Sequence, residues 1–299
     1  MRALATNRVD ARAVCLALRG HWHGRYGLAF CPAHDNRRTP ALSIMNGSNG
    51  RLLVHCFAGC DGADVLAALR AKGLLQGSSD WKPDPQRTEQ QRLEREANER
   101  RRIEMARRCW VETGPIAGTL AERYLRARGI TCDLPPTLRF HPTCWHRDTA
   151  KKMPAMVAAV SIGRKVVGVH RTYLAEPGVK AFGKKSKFML GPCSGGATRL
   201  SGGPGALLVA EGIETALSLL SALPDASPRV WAALSTSGMA GLILPPDPGE
   251  LVIAPDGDDE GRKAASRLAD RACAAGWRVR IMCCPDGSDW NDLGRGVAA

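Results

Sequence analysis

The sequence predicts a mixed fold class, α+β and α/β, with a parallel sheet in the last third of the chain. Two short apolar runs, 207–210 and 251–255, each precede a helix-like stretch. Such runs are typical of buried parallel strands joined by helices. Near the N-terminus, cysteine and histidine pairs flank a predicted hairpin. This layout indicates a zinc ribbon, because a bound ion can hold together a segment too small to bury a core. The middle of the chain predicts a mixed α+β subdomain.

Changes in composition divide the 299 residues into four predicted parts. Residues 76–108 contain Gly, Ser and Pro breakers followed by a run dense in Glu and Arg, which predicts a charged helical linker. A solvated connector and a nucleic-acid clamp both fit this run. The predicted parts are the metal-binding domain 1–75, the linker 76–108, a basic subdomain 109–200 and the parallel-sheet domain 201–299.

The formal net charge of +13 predicts a polyanionic partner, with nucleic acid as the first candidate. An arginine-rich background composition would give the same charge, and composition alone does not separate the two. No apolar run reaches the length of about 18 residues that predicts a membrane span, and the N-terminus lacks the apolar core of a signal peptide. We therefore expect a cytoplasmic protein with no membrane partner. The 11 cysteines are then reduced thiols, some of them bound to metal.

Two ligand pairs flank the predicted N-terminal hairpin. Cys31 and His34 form the first pair, and Cys56 and Cys60 form the second. Two pairs on two turns are the layout of a closed structural zinc site. His55 could replace Cys56 as a ligand, and a pair of core thiols beside surface histidines is the alternative interpretation.

Acidic residues follow both apolar runs of the C-terminal region. Glu211 comes directly after the first run, and Asp256 and Asp258 come after the second. Ligands gather at the carboxyl ends of parallel strands, where converging carboxylates repel one another unless a cation lies between them. The pattern therefore predicts a site for a hard divalent cation such as Mg²⁺. Either aspartate could instead cap the helix that is predicted over 263–275.

A basic segment follows two predicted strands, 156–160 and 166–174, that are joined by a Gly-Arg-Lys turn. Its lysines fit either a solvated loop or a phosphate-binding surface. They are Lys180, Lys184, Lys185 and Lys187. The stretch 191–198 has the outline of a phosphate loop, but it lacks the lysine before the threonine, so we predict a turn there.

The N-terminal motifs resemble the zinc-binding domain of bacterial DnaG-type primases and their phage and plasmid relatives. They read Cys-Pro-x-His, Thr-Pro-x-Leu-Ser-Ile and His-Cys-Phe-x-x-Cys, with one extra residue in the second cysteine pair. The resemblance implies a structural zinc ion on Cys31, His34, Cys56 and Cys60. It also implies a domain that helps to select the template sequence and to hold the initiating strand.

The middle motifs are similar to the N-terminal part of the primase polymerase core. They read Tyr-Leu-x-x-Arg-Gly-Ile, Gly-x-His-Arg-Thr-Tyr-Leu and Lys-Phe-Met-Leu-Gly-Pro. The resemblance implies that Arg171 and Lys187 contact phosphates of the template or of a nucleotide.

The C-terminal motifs resemble the Toprim domain, which primases share with type IA and type II topoisomerases and some nucleases. The resemblance implies that Glu211, Asp256 and Asp258 bind the catalytic cations and that Asp289 is a further catalytic acid. Bacterial primases usually place an aspartate four residues after the glutamate, whereas this chain has a threonine there, a form found in the mobile-element branch. Glu214 lies one position earlier, where it would also suit the dipole of the predicted helix.

Together these resemblances imply a DNA primase of the phage or mobile-element branch, which makes short RNA primers by metal-dependent nucleotidyl transfer. The implied cofactors are structural Zn²⁺ and catalytic Mg²⁺ or Mn²⁺. Single-stranded DNA and nucleoside triphosphates are the implied partners, and a separately encoded replicative helicase stays open. A Toprim-type nuclease and a non-catalytic, zinc-dependent nucleic-acid-binding accessory protein are the alternatives, although the intact set of acids favours catalysis.

Overall fold

The computed structural model describes residues 9–34, 40–47, 50–75, 85–223 and 228–294. The chain forms two compact units, Met1–Asp84 and Pro85–Ala299. Residues 76–84, the start of the predicted linker, lie outside the described residues. Within the described ranges, no helix has both the length and the apolar character needed to cross a lipid bilayer.

Unit 1 contains an antiparallel sheet of four strands in chain order. Its elements are α1 (Ala11–Ala17), β1 (His21–Trp22), β2 (Gly27–Ala29), β3 (Leu42–Asn46), β4 (Leu52–Cys56) and α2 (Gly62–Ala71). The predicted hairpin is confirmed, since β3 and β4 pair along their whole length. Leu42 and Ile44 alternate on one face of β3 and are buried with Val65 and Leu69 of α2, as expected for a strand with one buried face.

Unit 2 begins with two helices and a five-stranded antiparallel sheet. The elements are α3 (Pro85–Val111), α4 (Leu120–Arg126), β5 (Leu138–His146), β6 (Lys151–Ile162), β7 (Lys165–Ala175), β8 (Val179–Lys180) and β9 (Lys187–Leu190). The two predicted strands are confirmed as β6 and β7, and Gly163 makes their turn with a positive φ of 54°. On its other edge β7 pairs with both β8 and β9.

The two faces of this antiparallel sheet pack into different cores. On one face, Val169 and Tyr173 pack with Ala106 and Cys109 of α3. The charged helix expected in the linker is therefore present, but its C-terminal part packs on unit 2 instead of forming a fully solvated connector. Arg102 Nη2 also donates a hydrogen bond of 2.7 Å to the carbonyl oxygen of Gly191.

The second sheet of unit 2 contains the predicted parallel strands. Its elements are β10 (Thr198–Arg199), β11 (Leu207–Ala210), α5 (Ile213–Ala222), β12 (Arg229–Ala232), α6 (Thr236–Gly241), β13 (Glu250–Ala254), α7 (Asp259–Ala274), β14 (Arg278–Ile281) and α8 (Trp290–Gly294). The strand order is β10-β12-β11-β13-β14, and only β10 is antiparallel to its neighbour. The predicted combination of a ribbon-like unit, a mixed α+β part and a parallel α/β part is thus confirmed.

The helix after β13 begins earlier than predicted. We expected it over 263–275, but α7 starts at Asp259 because Asp258 caps it. Asp258 Oδ1 accepts a hydrogen bond of 2.7 Å from the backbone N–H of Gly261, which satisfies one of the free donors of the first turn.

Candidate functional site

The predicted acids lie where the strand order of the parallel sheet reverses. Strand β11 is central, and the chain leaves it first to β12 on one side and then to β13 on the other. Ligand crevices of open α/β sheets lie at such switch points, beyond the carboxyl ends of the strands. Ala210 pairs with Ala254, so Glu211 and Asp256 follow strand ends that lie side by side. The strand register therefore puts these two acids at the same edge of the sheet.

Burial and neighbouring carboxylates raise the pKa values of both acids. The pKa of Glu211 rises to about 7 because of burial and the neighbouring Asp256 and Asp258. Burial, Asp289 and Asp258 raise the pKa of Asp256 to about 6. Glu211 Oε2 is buried and has no hydrogen-bond partner among the described residues. A cation would relieve both the repulsion and the missing contact, and carboxylate oxygens are the ligands that Mg²⁺ and Mn²⁺ prefer. The residues therefore fit a hard divalent ion.

Asp258 and Asp289 each accept a hydrogen bond from a backbone N–H with one carboxylate oxygen. Asp258 Oδ1 accepts from Gly261, and Asp289 Oδ1 accepts from the backbone N–H of Asp292 at 2.8 Å. The capping alternative is thus confirmed for Asp258. A capping carboxylate keeps a second oxygen, so a cap and a metal ligand are compatible roles. The carboxylates are more widely spaced than the ligands of a closed metal site. Within the described ranges, two groups of three or more ligand atoms lie within 4.8 Å of one another, and both consist of cysteines and histidines.

Gly257 allows the turn that carries Asp289 to approach the end of β13. A Cβ atom on Gly257 would lie 1.9 Å from the carbonyl oxygen of Pro285. The backbone N–H of Gly257 donates to Ser288 O, and its carbonyl oxygen accepts from the N–H of Gly287, both at 2.9 Å. The glycine between Asp256 and Asp258 is therefore required by close backbone approach, and it allows Asp289 to reach the crevice.

Glu214 is a buried carboxylate that receives three polar contacts. Tyr124 donates its hydroxyl hydrogen to Oε1 at 2.6 Å, Lys187 Nζ donates to Oε2 at 2.9 Å, and Lys180 Nζ lies 3.7 Å from Oε1. Burial would raise the pKa of Glu214, but Lys187, Lys180 and the tyrosine together hold it below its usual range. We expected Glu214 only to suit the dipole of the helix, but it also pairs with two lysines and accepts a hydrogen bond from a tyrosine. Two ammonium groups share one carboxylate, which leaves net positive charge there. Lys187 partly opposes the rise in the pKa values of Glu211 and Asp256.

The structure does not bring Arg171 and Lys187 together. Lys187 pairs with Thr172 across the β7–β9 ladder, and its side chain reaches Glu214. Arg171 lies on the opposite face, 5.8 Å from the ring centre of Tyr173, and its Nη1 donates to Trp145 O at 3.3 Å. That face packs on α3. The two predicted phosphate contacts are therefore divided between two faces of one sheet.

Sequence reasoning assigned no functional role to Tyr124 or Asn291, and it treated Lys180 only as charge. Asn291 is fully buried and accepts from Arg128 Nη1 at 2.8 Å. Its Nδ2 donates to Arg128 O and to Ser218 Oγ, each at 2.8 Å. These residues are far from their partners in sequence, so no local pattern signals them. The one available signal was a polar aromatic residue within the otherwise apolar face of α4.

The four predicted zinc ligands come together in unit 1. Ligand atoms of Cys31, His34, Cys56 and Cys60 all lie within 4.8 Å of one another. His34 Nδ1 is 3.1 Å from Cys60 Sγ and 3.9 Å from Cys56 Sγ. His55 is exposed one residue before Cys56 on β4, so Cys56 is the member of the cluster. Although burial opposes it, the Cys60 backbone N–H lowers the pKa of Cys56, which favours the thiolate form that metals bind.

Fold and site together define a parallel α/β domain with acids at its switch point. Residues 206–298 match the Toprim domain family, so this part of the chain is a Toprim domain, as the motifs predicted. Residues 100–200 match a domain of unknown function, DUF7146. This second match begins inside α3, consistent with the packing of that helix on unit 2.

Solved structures that are similar to this chain include three primase fragments. A DNA primase domain from Pseudomonas aeruginosa is 20% identical, covers 60% of this chain and 68% of its own, and has a TM-score of 0.39. The zinc-binding and RNA polymerase domains of the Aquifex aeolicus primase are 14% identical, with coverages of 95% and 79% and a TM-score of 0.37. The primase fragment of the bacteriophage T7 primase-helicase protein is 16% identical, with coverages of 91% and 96% and a TM-score of 0.40. No curated protein sequence matches the chain.

Glu214→Gln is expected to destabilise unit 2 because it leaves Lys187 and Lys180 without their buried counter-charge. Loss of one partner of a buried pair costs about 3–5 kcal/mol, and the partial exposure of both lysines reduces this to about 2–4 kcal/mol. Urea unfolding of the wild type and the variant at neutral pH measures the difference.

The matched control is Glu176→Gln, since Glu176 pairs with Arg123 on the surface and should matter little. The folded pKa of Glu214 is depressed, so its contribution is complete above the unfolded pKa and is lost as pH falls through the folded pKa. The wild-type advantage should therefore persist from neutral pH down to about pH 5 and shrink only below it. Equal stability of both variants would contradict the structural role of the Glu214 contacts.

Proposed function

We propose that this protein is a DNA primase that synthesises short RNA primers on single-stranded DNA by metal-dependent nucleotidyl transfer. The observation that carries the proposal is a Toprim domain whose acids lie at the switch point of its sheet, beside a partly neutralised lysine pair. Phosphate oxygens bind both metal ions and cationic side chains, so the acids and the lysine pair together suit a phosphate substrate. The net charge of +13 supports a nucleic-acid partner.

Nucleotidyl transfer joins a 3′-hydroxyl oxygen to the α-phosphorus of a nucleoside triphosphate and releases pyrophosphate. Glu211, Asp256 and Asp258 would hold Mg²⁺ or Mn²⁺, which supplies charge neutralisation at the phosphates and a more acidic hydroxyl when bound. Lys187 would place a second positive charge on the triphosphate, and Glu214 keeps its ammonium group directed toward the crevice. Asp289 would hold the turn beside Asp256 and add negative charge to the cation site.

The N-terminal unit would bind Zn²⁺ through Cys31, His34, Cys56 and Cys60 and would contact the template strand. Sulfur and imidazole ligands in a closed group of four suit a structural zinc ion. Arg171 keeps its proposed contact with nucleic acid, although this contact would lie on the α3 face of the sheet. We also propose that the protein is cytoplasmic and that its partner is a separately encoded replicative helicase.

Asp256→Asn is expected to reduce primer synthesis at least about 100-fold, because a carboxylate that holds the cation contributes several kcal/mol to the transition state. The assay measures labelled RNA made from ribonucleotides on single-stranded DNA with Mg²⁺ or Mn²⁺. Glu250→Gln is the matched control, since Glu250 is an exposed acid at the opposite end of the same strand, β13. This control should retain wild-type synthesis.

Equal synthesis by Asp256→Asn and wild type would refute the proposal, as would a wild type that makes no product. A second incubation omits nucleotides and supplies labelled DNA with metal. Cleavage there that disappears in Asp256→Asn would assign the same acids to a Toprim-type nuclease. Salt-sensitive binding of single strands without either activity would instead assign an accessory protein.

Cys60→Ser is expected to lower the zinc content by one ion per chain and to unfold the sheet of unit 1. In a small metal-bound unit, the free energy of metal binding is also folding free energy. Hydrogen exchange of the β3 and β4 amides measures the unfolding, and elemental analysis measures the metal. Cys273→Ser removes an exposed thiol of α7 and serves as the control. Slow exchange at β3 and β4 in both variants would contradict a structural zinc ion.

A further inference from the structure

Unit 2 contains a second cluster of metal-ligand side chains. Cys109, His141 and Cys144 are all buried, and their ligand atoms lie within 4.8 Å of one another. The two Sγ atoms are 3.9 Å apart. Two thiolates at about 2.3 Å from one tetrahedral zinc ion are separated by roughly 3.8 Å, whereas the sulfurs of a disulfide are about 2.05 Å apart. The observed distance therefore matches two ligands of a shared ion.

A β-bulge puts His141 and Cys144 on the same face of the sheet. The two residues are three positions apart on β5, but their partners on β6, Ala155 and Met153, are only two positions apart. Residues three apart in a regular strand point to opposite faces, and one extra residue reverses this. Both side chains consequently face α3, where Cys109 comes from the last turns of the helix.

The His141 ring is held at both of its nitrogens. Its Nε2 lies 3.1 Å from Glu112 Oε2, and its Nδ1 accepts a hydrogen bond of 3.2 Å from the Thr143 backbone N–H. Glu112 is 65% exposed and the ring only 7%, so the carboxylate reaches the buried ring from the solvent side. A ligating imidazole would exchange one of these contacts for the ion. The usual partner on the other nitrogen is a carboxylate or a backbone group, and it orients the ring.

The other residues around the cluster offer its three side chains few further hydrogen-bond partners. The neighbouring side chains include Ala106, Ala155 and Val157, which are apolar. The Tyr173 hydroxyl lies 3.6 Å from Cys144 Sγ but is directed mainly to the carbonyl oxygen of Trp145. Buried thiols pack as small apolar side chains, but a buried imidazole between them does not, and the bulge that gathers the three side chains is a specific backbone feature.

We propose that Cys109, His141 and Cys144 bind one zinc-class divalent ion that fastens the end of α3 to β5, with the fourth tetrahedral position left to a non-protein ligand such as water. Sulfur and imidazole ligands select a borderline-soft ion rather than Mg²⁺. The site is separate from the cysteine cluster of unit 1 and from the acids of the Toprim domain. The proposal of this second metal site therefore does not depend on primase activity.

Metal analysis of the full chain, purified with zinc under reducing conditions, tests the proposal. The wild type should contain two zinc ions per chain, Cys144→Ser one, and the double variant Cys56→Ser/Cys60→Ser one. Cys132→Ser is the matched control, because Cys132 is a partly buried thiol of the same unit outside both clusters, and it should keep two. Cobalt added to the metal-free double variant should give thiolate-to-metal charge-transfer absorption, which a further Cys144→Ser change should abolish.

One zinc ion in the wild type, lost in the double variant and unaffected by Cys144→Ser, would overturn the proposal. A disulfide between Cys109 and Cys144 in freshly isolated wild-type protein, found by mass spectrometry of unreduced peptides, would also overturn it. If Cys144→Ser does not fold, the wild-type stoichiometry and the cobalt spectrum of the double variant still decide, because neither uses that change.

Discussion

The buried Glu214 carboxylate fixes how the two sheets of unit 2 fit together. Its donors come from α4, β8 and β9, whereas Glu214 itself begins α5 of the Toprim domain. A buried charge without partners costs several kcal/mol, so these four elements must meet at this point. The apolar residues around it form one core that both sheets share. Since α5 follows Glu211 directly, the same contacts place Lys187 beside the candidate metal site.

The charge balance of the crevice follows from this arrangement. Lys187, which acts on both acids, is bound to Glu214, so it neutralises Glu211 and Asp256 only in part. Burial and the remaining repulsion from neighbouring carboxylates keep the pKa values of both acids raised. A cation is the partner that removes this repulsion without an additional buried side chain. The antiparallel sheet thus supplies the positive charge at one edge of the crevice, and the Toprim domain supplies the negative charge.

Local patterns were enough to predict most elements, because they depend on residues close in sequence. The hairpin β3–β4, the parallel strands β11 and β13, and the acids at their ends follow from alternation, apolar runs and the general geometry of parallel sheets. Features that depend on distant partners were not predictable. The separation of Arg171 from Lys187 is such a feature, because it depends on the register of β9 against β7. The early start of α7 is instead a local effect of the Asp258 cap, which the sequence left open between two aspartates.

Register also explains why the second cysteine cluster is invisible in the sequence. In a regular β5, His141 would face α3 and Cys144 would face the Toprim side, so the spacing alone argues against a shared site. The bulge reverses that inference, and Cys109 completes the group from a helix whose sequence shows mainly charge. Cys109 and Ala106 are one turn apart on α3 and are buried against the sheet. A helix that is strongly charged along its length can therefore be anchored at its last turns by two small side chains, one of which is a potential metal ligand.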